Sequence, residues 1–95
     1  MRLAELQQLA PQLHELLARH GASNPAVFGS VARDQATPGS DVDLLVDLPA
    51  GTSLFDRVNL KSALEALLLT RVDLIRRRNV NPDLNATVEA EAIPL

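Results

Sequence analysis

Ala26-Val27-Phe28-Gly29-Ser30 and, one loop later, Ser40-Asp41-Val42-Asp43-Leu44-Leu45-Val46-Asp47 read as two strands separated by a tight turn. In the first segment a short apolar run lies between Asn24-Pro25 and Gly29-Ser30, which marks a buried strand of a few residues. In the second, Val42, Leu44, Val46 and Leu48 alternate with Asp41, Asp43, Leu45 and Asp47, so one face of a strand meets a core. Between them, Val31 to Gln35 is expected to form a single helical turn capped by Ser30, and Thr37-Pro38-Gly39-Ser40 a loop.

Working outward, Leu3, Leu6, Ala10, Leu13 and Leu17 recur every three or four residues from Arg2 to His20, the apolar face of an amphipathic helix ended by Gly21. Pro11 either kinks that helix or sits in the first turn of a fresh one. Ser53 and Asp56 resemble a capping box that opens a second helix, running to about Leu69 with Leu54, Val58, Lys61, Leu64 and Leu68 as its stripe, widened by Phe55 and Leu67. Arg71 to Ile75 alternates as a third strand, and Asn81-Pro82-Asp83 predicts a last helix over Asp83 to Ala90. The order is α/β, with three strands among the helices, in a single domain spanning residues 1–95.

Composition narrows the function. The 95 residues carry 12 Asp plus Glu against 9 Lys plus Arg, with two Phe and no Trp or Tyr, so neither a broad phosphate-binding surface nor base stacking is available and direct nucleic-acid binding is disfavoured. The absence of Cys removes thiolate metal sites, disulfides and cysteine nucleophiles, and suits a reducing cytoplasm. No stretch approaches a membrane span, and Met1 to Gln8 is too polar for a signal peptide.

Asp41 and Asp43 carry the chemistry. On a strand, residues two apart project from one face with Cα atoms about 6.5–7 Å apart. Carboxylates drawn to about 4 Å repel by about 1 kcal/mol in water and 4 at an intermediate dielectric, so a site that gathers them implies a cation. Oxygen ligands without Cys or a nearby His favour Mg²⁺ or Mn²⁺ over Zn²⁺, and Asp73 is the natural third ligand if its strand lies beside that of Asp41. Spacing alone equally admits a solvated strand edge. Gly29-Ser30 adds a place for phosphate, because a glycine leaving a strand permits close backbone approach and a serine opening a helical turn offers its hydroxyl and nearby N–H groups. Arg33 could supply further positive charge to phosphates or serve as a surface or core-capping arginine. Asp47 lies too far along the strand to reach the metal. His14 and His20 have surface or helix-terminal roles, and the basic run Arg76-Arg77-Arg78 is either solvated or steers an anion.

Gly29-Ser30, ten intervening residues and Asp41-Val42-Asp43 resemble the GS-x10-DxD pattern of polymerase-beta-like nucleotidyltransferases. Phe28-Gly29-Ser30-Val31-Ala32-Arg33, Ser40-Asp41-Val42-Asp43-Leu44-Leu45-Val46, the leucine-rich helix and Val72-Asp73-Leu74 look like the minimal nucleotidyltransferases (MNT) over nearly the whole chain. The resemblance implies an α/β (α+β) fold with a mixed sheet of about three strands flanked by helices, that Gly29 and Ser30 hold the triphosphate of ATP, that Asp41, Asp43 and Asp73 hold two Mg²⁺, and that the chain is the antitoxin of a HEPN-domain toxin, transferring AMP to a toxin tyrosine. Asp34 departs from the family, which often has Gly after the Arg, and an acid there either weakens nucleotide binding or faces solvent. Two other readings stand beside this one: an antitoxin that occludes its partner without catalysis, using the leucine-rich helices, and AMP transfer to a small-molecule hydroxyl, which needs an acceptor pocket. Assembly with itself or with a partner is compatible with all three.

Overall fold

The computed structural model describes residues 1–35, 37, 39–77 and 90–95. The elements run α1 (Leu3–Gln8), α2 (Ala10–Arg19), β1 (Ser23–Phe28), α3 (Gly29–Ala32), β2 (Val42–Asp47), α4 (Leu54–Leu68), β3 (Val72–Arg76) and β4 (Ile93–Pro94). The strands form one sheet in the order β3-β2-β1-β4, with β2 and β3 parallel and the other pairs antiparallel. The sheet is thus mixed, as expected, but has four strands rather than about three. The added one is the two-residue β4, whose Ile93 and Pro94 pair with Val27 and Ala26. A pairing that short, containing a proline, leaves no alternation to read in the sequence.

Pro11 resolves the first ambiguity. The N-terminal helix breaks at Leu9, and Pro11 falls in the opening turn of α2, where its missing N–H has no helical acceptor to lose. Gly21 closes α2 with φ +73°, Ala22 N–H donating to Leu17 O (2.9 Å) and Gly21 N–H to Ala18 O (3.2 Å). That pair of bonds satisfies two orphan carbonyls and requires a left-handed residue. The end of α4 makes the same demand without a glycine: Leu69 stands at φ +56°, 89% exposed. Leu69→Gly is therefore expected to raise stability by about 0.5–1 kcal/mol, a shift of several degrees in Tm measurable by thermal denaturation.

β1 starts earlier than its apolar core suggests. Its register shifts between Ser23 and Ala26, at Asn24 (φ +53°) and Pro25, so the proline is accommodated by a bulge that carries the strand back to Ser23. Ser30 does not cap α3. That position falls to Phe28, which makes no side-chain cap bond, and Ser30 lies inside the turn. The Ser53–Asp56 capping box is present in both directions. The helix expected over Asp83 to Ala90 falls, except for Ala90, outside the described residues.

The core occupies one face of the sheet, where Val27, Val42, Leu44, Val46, Val72 and Leu74 meet Leu6, Leu13, Leu17, Leu60, Leu64 and Leu68. Leu45, on the opposite face of β2, is also buried beside its cross-strand partner Ala26. The stripe expected on α4 is corrected. Leu60, Leu64 and Leu68 form its buried face, whereas Leu54, Phe55 and Val58 are 75%, 73% and 53% exposed. The spacing of 54, 58 and 61 is helical, but it belongs to a face rotated away from the core, and Lys61 within it was the sign.

Two arginines of the basic run have structural work. Arg76 donates to the carbonyls of Leu48 and Pro49 and ties the end of β2 to β3. Arg77 pairs with Asp47 at 2.6 Å and donates to Asn24 O at 3.0 Å. Asp47 also accepts from Asn24, so it is occupied at the end of the sheet remote from Asp41. Arg78 lies outside the described residues.

Candidate active site

β2 is an interior strand, and its Asp43 has a neighbour on each side: Phe28 of β1, the residue before Gly29, and Asp73 of β3. The parallel pairing that carries Asp73 to Asp43 follows from the β2–α4–β3 connection, since a strand that returns through a helix enters the sheet in the same direction. Asp41 precedes β2 by one residue and is exposed, as is Asp73, while Asp43 is half-buried. Gly29 begins α3 immediately after β1 with φ +73°. A Cβ there would overlap Asp43 Oδ2 and lie 3.2 Å from Asp43 Cγ. Glycine is thus required twice, for its backbone angle and for the space that the Asp43 carboxylate fills.

Burial raises the Asp43 carboxyl above its ordinary pKa, the charges of Asp73 and Asp41 raise it further, and Arg33 acts in the opposite sense. Asp41, Asp43, Asp73 and Arg33 thus share one electrostatic site. The Arg33 side chain is turned toward Glu91 (3.3 Å) and Gln35 (3.3 Å). Asp34 beside it adopts φ +54°, a left-handed conformation that glycine reaches without strain and that Asp tolerates better than most residues. His14 bonds Leu95 O at 2.6 Å, on another part of the surface from the acids.

Among the described residues no group of three or more His, Cys, Asp or Glu side chains is placed to hold a metal ion. The donor chemistry nonetheless fits a hard divalent cation: the ligands would all be carboxylate oxygens, and burial with two like charges disfavours the charged form of Asp43, a cost that a cation at the site would offset.

Beyond Asp73 lies an open cleft of about 210 Å³ between β3 and α4, lined by Leu54, Arg57, Val58, Lys61, Asp73 and Leu74. The sequence reading missed it. Arg57 and Lys61 share a helix face with Leu54 and Val58, and a cation in a supposed core stripe was the available signal.

Residues 11–94 match the model of the nucleotidyltransferase domain. The chain belongs to that family. It is 37% identical to the protein adenylyltransferase MntA of Thermococcus cleftensis, over 98% of this chain and 95% of the relative. A solved structure described as a minimal nucleotidyltransferase shares 47% identity and superposes with a TM-score of 0.87, covering 100% of this chain and 97% of that one. Two more distant structures share the fold: a toxin–antitoxin with AMP-PNP (22% identity, TM-score 0.75, covering 88% and 69%) and the MNT antitoxin in complex with a tri-AMPylated HEPN toxin of Shewanella oneidensis (21%, 0.69, covering 93% and 69%). The chain is accordingly an enzyme of the nucleotidyltransferase class, with the mixed sheet and flanking helices of the minimal form. Among its described residues no helix is long and apolar enough to cross a membrane.

Proposed function

We propose that this nucleotidyltransferase is an antitoxin that moves AMP from ATP to a tyrosine hydroxyl of a HEPN-type toxin. The observation that carries the reading is the pairing of Asp73 with Asp43 across parallel strands, with Gly29 packed against the same Asp43 carboxylate. It supports a triphosphate held at Gly29-Ser30 with its α-phosphorus toward the acids.

Asp41, Asp43 and Asp73 would hold Mg²⁺, or Mn²⁺ in its place. When bound, the metal neutralises phosphate charge and lowers the pKa of the acceptor hydroxyl. The residues of the chain do the rest. The Gly29-Ser30 turn would take phosphate oxygens on its backbone N–H groups beside Asp43, and the Ser30 hydroxyl would orient them. The acceptor oxygen forms a bond to the α-phosphorus while the bond to the bridging oxygen breaks, pyrophosphate leaves, and the hydroxyl proton passes to an Asp73 carboxylate oxygen. Positioning and charge neutralisation supply most of the rate, as is general for phosphoryl chemistry. Arg33 can join the phosphates only by leaving Glu91. Glu91→Gln removes that competitor and should lower the KM for ATP by about two- to fivefold, the scale of one exposed ion pair, read from steady-state transfer rates.

The relatives support this assignment by name: an adenylyltransferase, a toxin–antitoxin with an ATP analogue and an AMPylated toxin with its antitoxin. Occlusion without catalysis is favoured by one feature, the exposed Leu54, Phe55 and Val58 on α4. Rescue of cells expressing the cognate toxin separates the two. An Asp41→Ala, Asp43→Ala double variant should fail to protect, and protection equal to wild type would show that binding suffices.

A further inference from the structure

The cleft beside Asp73 is built differently from the phosphate side of the site. Because Val42 N–H donates to Arg71 O (2.9 Å), the parallel ladder turns the backbone groups of Arg71 and Asp73 toward β2 and those of Val72 and Leu74 away from it. The outward Val72 N–H is taken by Glu65 Oε2 at 3.0 Å. Leu74, next along this edge, lines the cleft, and its N–H and C=O lie on the side away from β2, where β3 has no partner strand among the described residues. The facing wall is the Leu54, Arg57, Val58, Lys61 stripe of α4. Among the described residues, neither the Arg57 nor the Lys61 side chain has a hydrogen bond or ion pair, whereas the chain as a whole is acidic with a net charge of −3.

A strand edge, two unpaired cations and two exposed apolar side chains meet in one groove that ends on Asp73. Pairing to a strand edge supplies affinity from the main chain, and the facing side chains supply selectivity. We propose that this groove docks an extended, acidic segment of the protein acceptor, pairing its backbone with Leu74, its carboxylates with Arg57 and Lys61 and its apolar residues with Leu54 and Val58, so that a hydroxyl in the segment reaches Asp73. This inference rests on the nucleotidyl-transfer reading and adds its acceptor specificity. Charge complementarity chooses the occupant: in a two-fold contact through this groove, a second copy would set its own Arg57 and Lys61 against the same cations.

The test uses short tyrosine peptides that differ only in flanks of Asp/Glu, Ser/Ala or Lys/Arg, with ATP labelled at the α-phosphate and Mg²⁺. Wild type should modify the acidic peptide about five- to tenfold more efficiently than the neutral one, the scale of two exposed ion pairs. R57E/K61E should reverse the order through peptide KM, R57Q/K61Q should flatten it, and KM for ATP should stay fixed in both. Unchanged peptide order in both variants overturns the proposal. So does a shift in KM for ATP alone, which gives the cations to the nucleotide, or a changed sedimentation coefficient with unchanged peptide order, which gives the groove to a second copy. Labelling of the toxin with no labelling of any peptide also overturns it while leaving nucleotidyl transfer intact. Absence of label on toxin and peptides alike removes the transfer reading itself, and this inference with it.

Discussion

Gly29→Ala should sharply lower AMP transfer and also destabilise the fold, by about 1–2 kcal/mol or more, the cost of a left-handed backbone for an L-residue. The added methyl overlaps Asp43 Oδ2, so the carboxylate must rotate or β2 must shift at the strand on which the acids depend. A second glycine provides the control. Gly21 has the same φ of +73°, but a Cβ there meets only Pro49 Cγ at 3.7 Å, an ordinary contact. Gly21→Ala should therefore carry a comparable backbone penalty and retain transfer, whereas Gly29→Ala should lose about two orders of magnitude or more in kcat/KM, the effect of misplacing a reacting group by about 1 Å. Urea unfolding and initial rates on the two variants side by side separate strain from site geometry. Equal activity in both variants would mean that the close approach of Gly29 to Asp43 is incidental.

Asp43→Asn should have opposite effects on stability and on activity. Burial and the neighbouring Asp73 and Asp41 charges raise the Asp43 pKa in the folded protein. The native state then binds the proton more tightly than the unfolded chain does. In the metal-free protein this residue favours folding most at pH values below its unfolded pKa near 3.8, and that contribution is lost as pH rises through the higher folded value. At neutral pH the charged Asp43 opposes folding, so an uncharged isostere should raise Tm without metal and flatten the dependence of Tm on pH above about 4. Transfer should fall by about a thousandfold or more, since removing one carboxylate withdraws several kcal/mol of transition-state charge stabilisation. Divalent metal should raise the Tm of wild type more than that of the variant. A variant that is less stable than wild type at neutral pH without metal would contradict the electrostatic description of the site.

Much of this site was legible in sequence because its parts are local. The alternation from Val42 to Asp47 fixes which side of β2 carries Asp43, and Gly29-Ser30 marks the turn that faces it. The placement of Asp73 opposite Asp43 was legible only as a possibility, because register across a helical crossover is set by how α4 packs its Leu60, Leu64 and Leu68. Three features escaped. β4 is too short to show a period, and Pro25 conceals the start of β1 behind a bulge. The third is α4, whose leucines at 54, 60, 64, 67 and 68 fit more than one helical face. Packing selects the face through 60, 64 and 68 and leaves Leu54 and Val58 beside Arg57 and Lys61 at the cleft. Arg77 and Asp47 show the converse: Arg77, in a basic run that reads as either solvated or steering, bonds the end of the sheet, a partnership 30 residues apart that no local pattern encodes.

The most direct test of the catalytic account follows the label. Purified wild-type protein, its cognate toxin and Mg²⁺ are incubated in parallel with ATP labelled at the α- or the γ-phosphate, and again with Asp41→Ala, Asp43→Ala and with Asp73→Asn. The account predicts toxin labelled from the α-position only, label from the γ-position released as pyrophosphate, and no transfer by the double variant or by Asp73→Asn. Toxin labelled from the γ-position, or labelled equally by wild type and the Asp41/Asp43 variant, would contradict it.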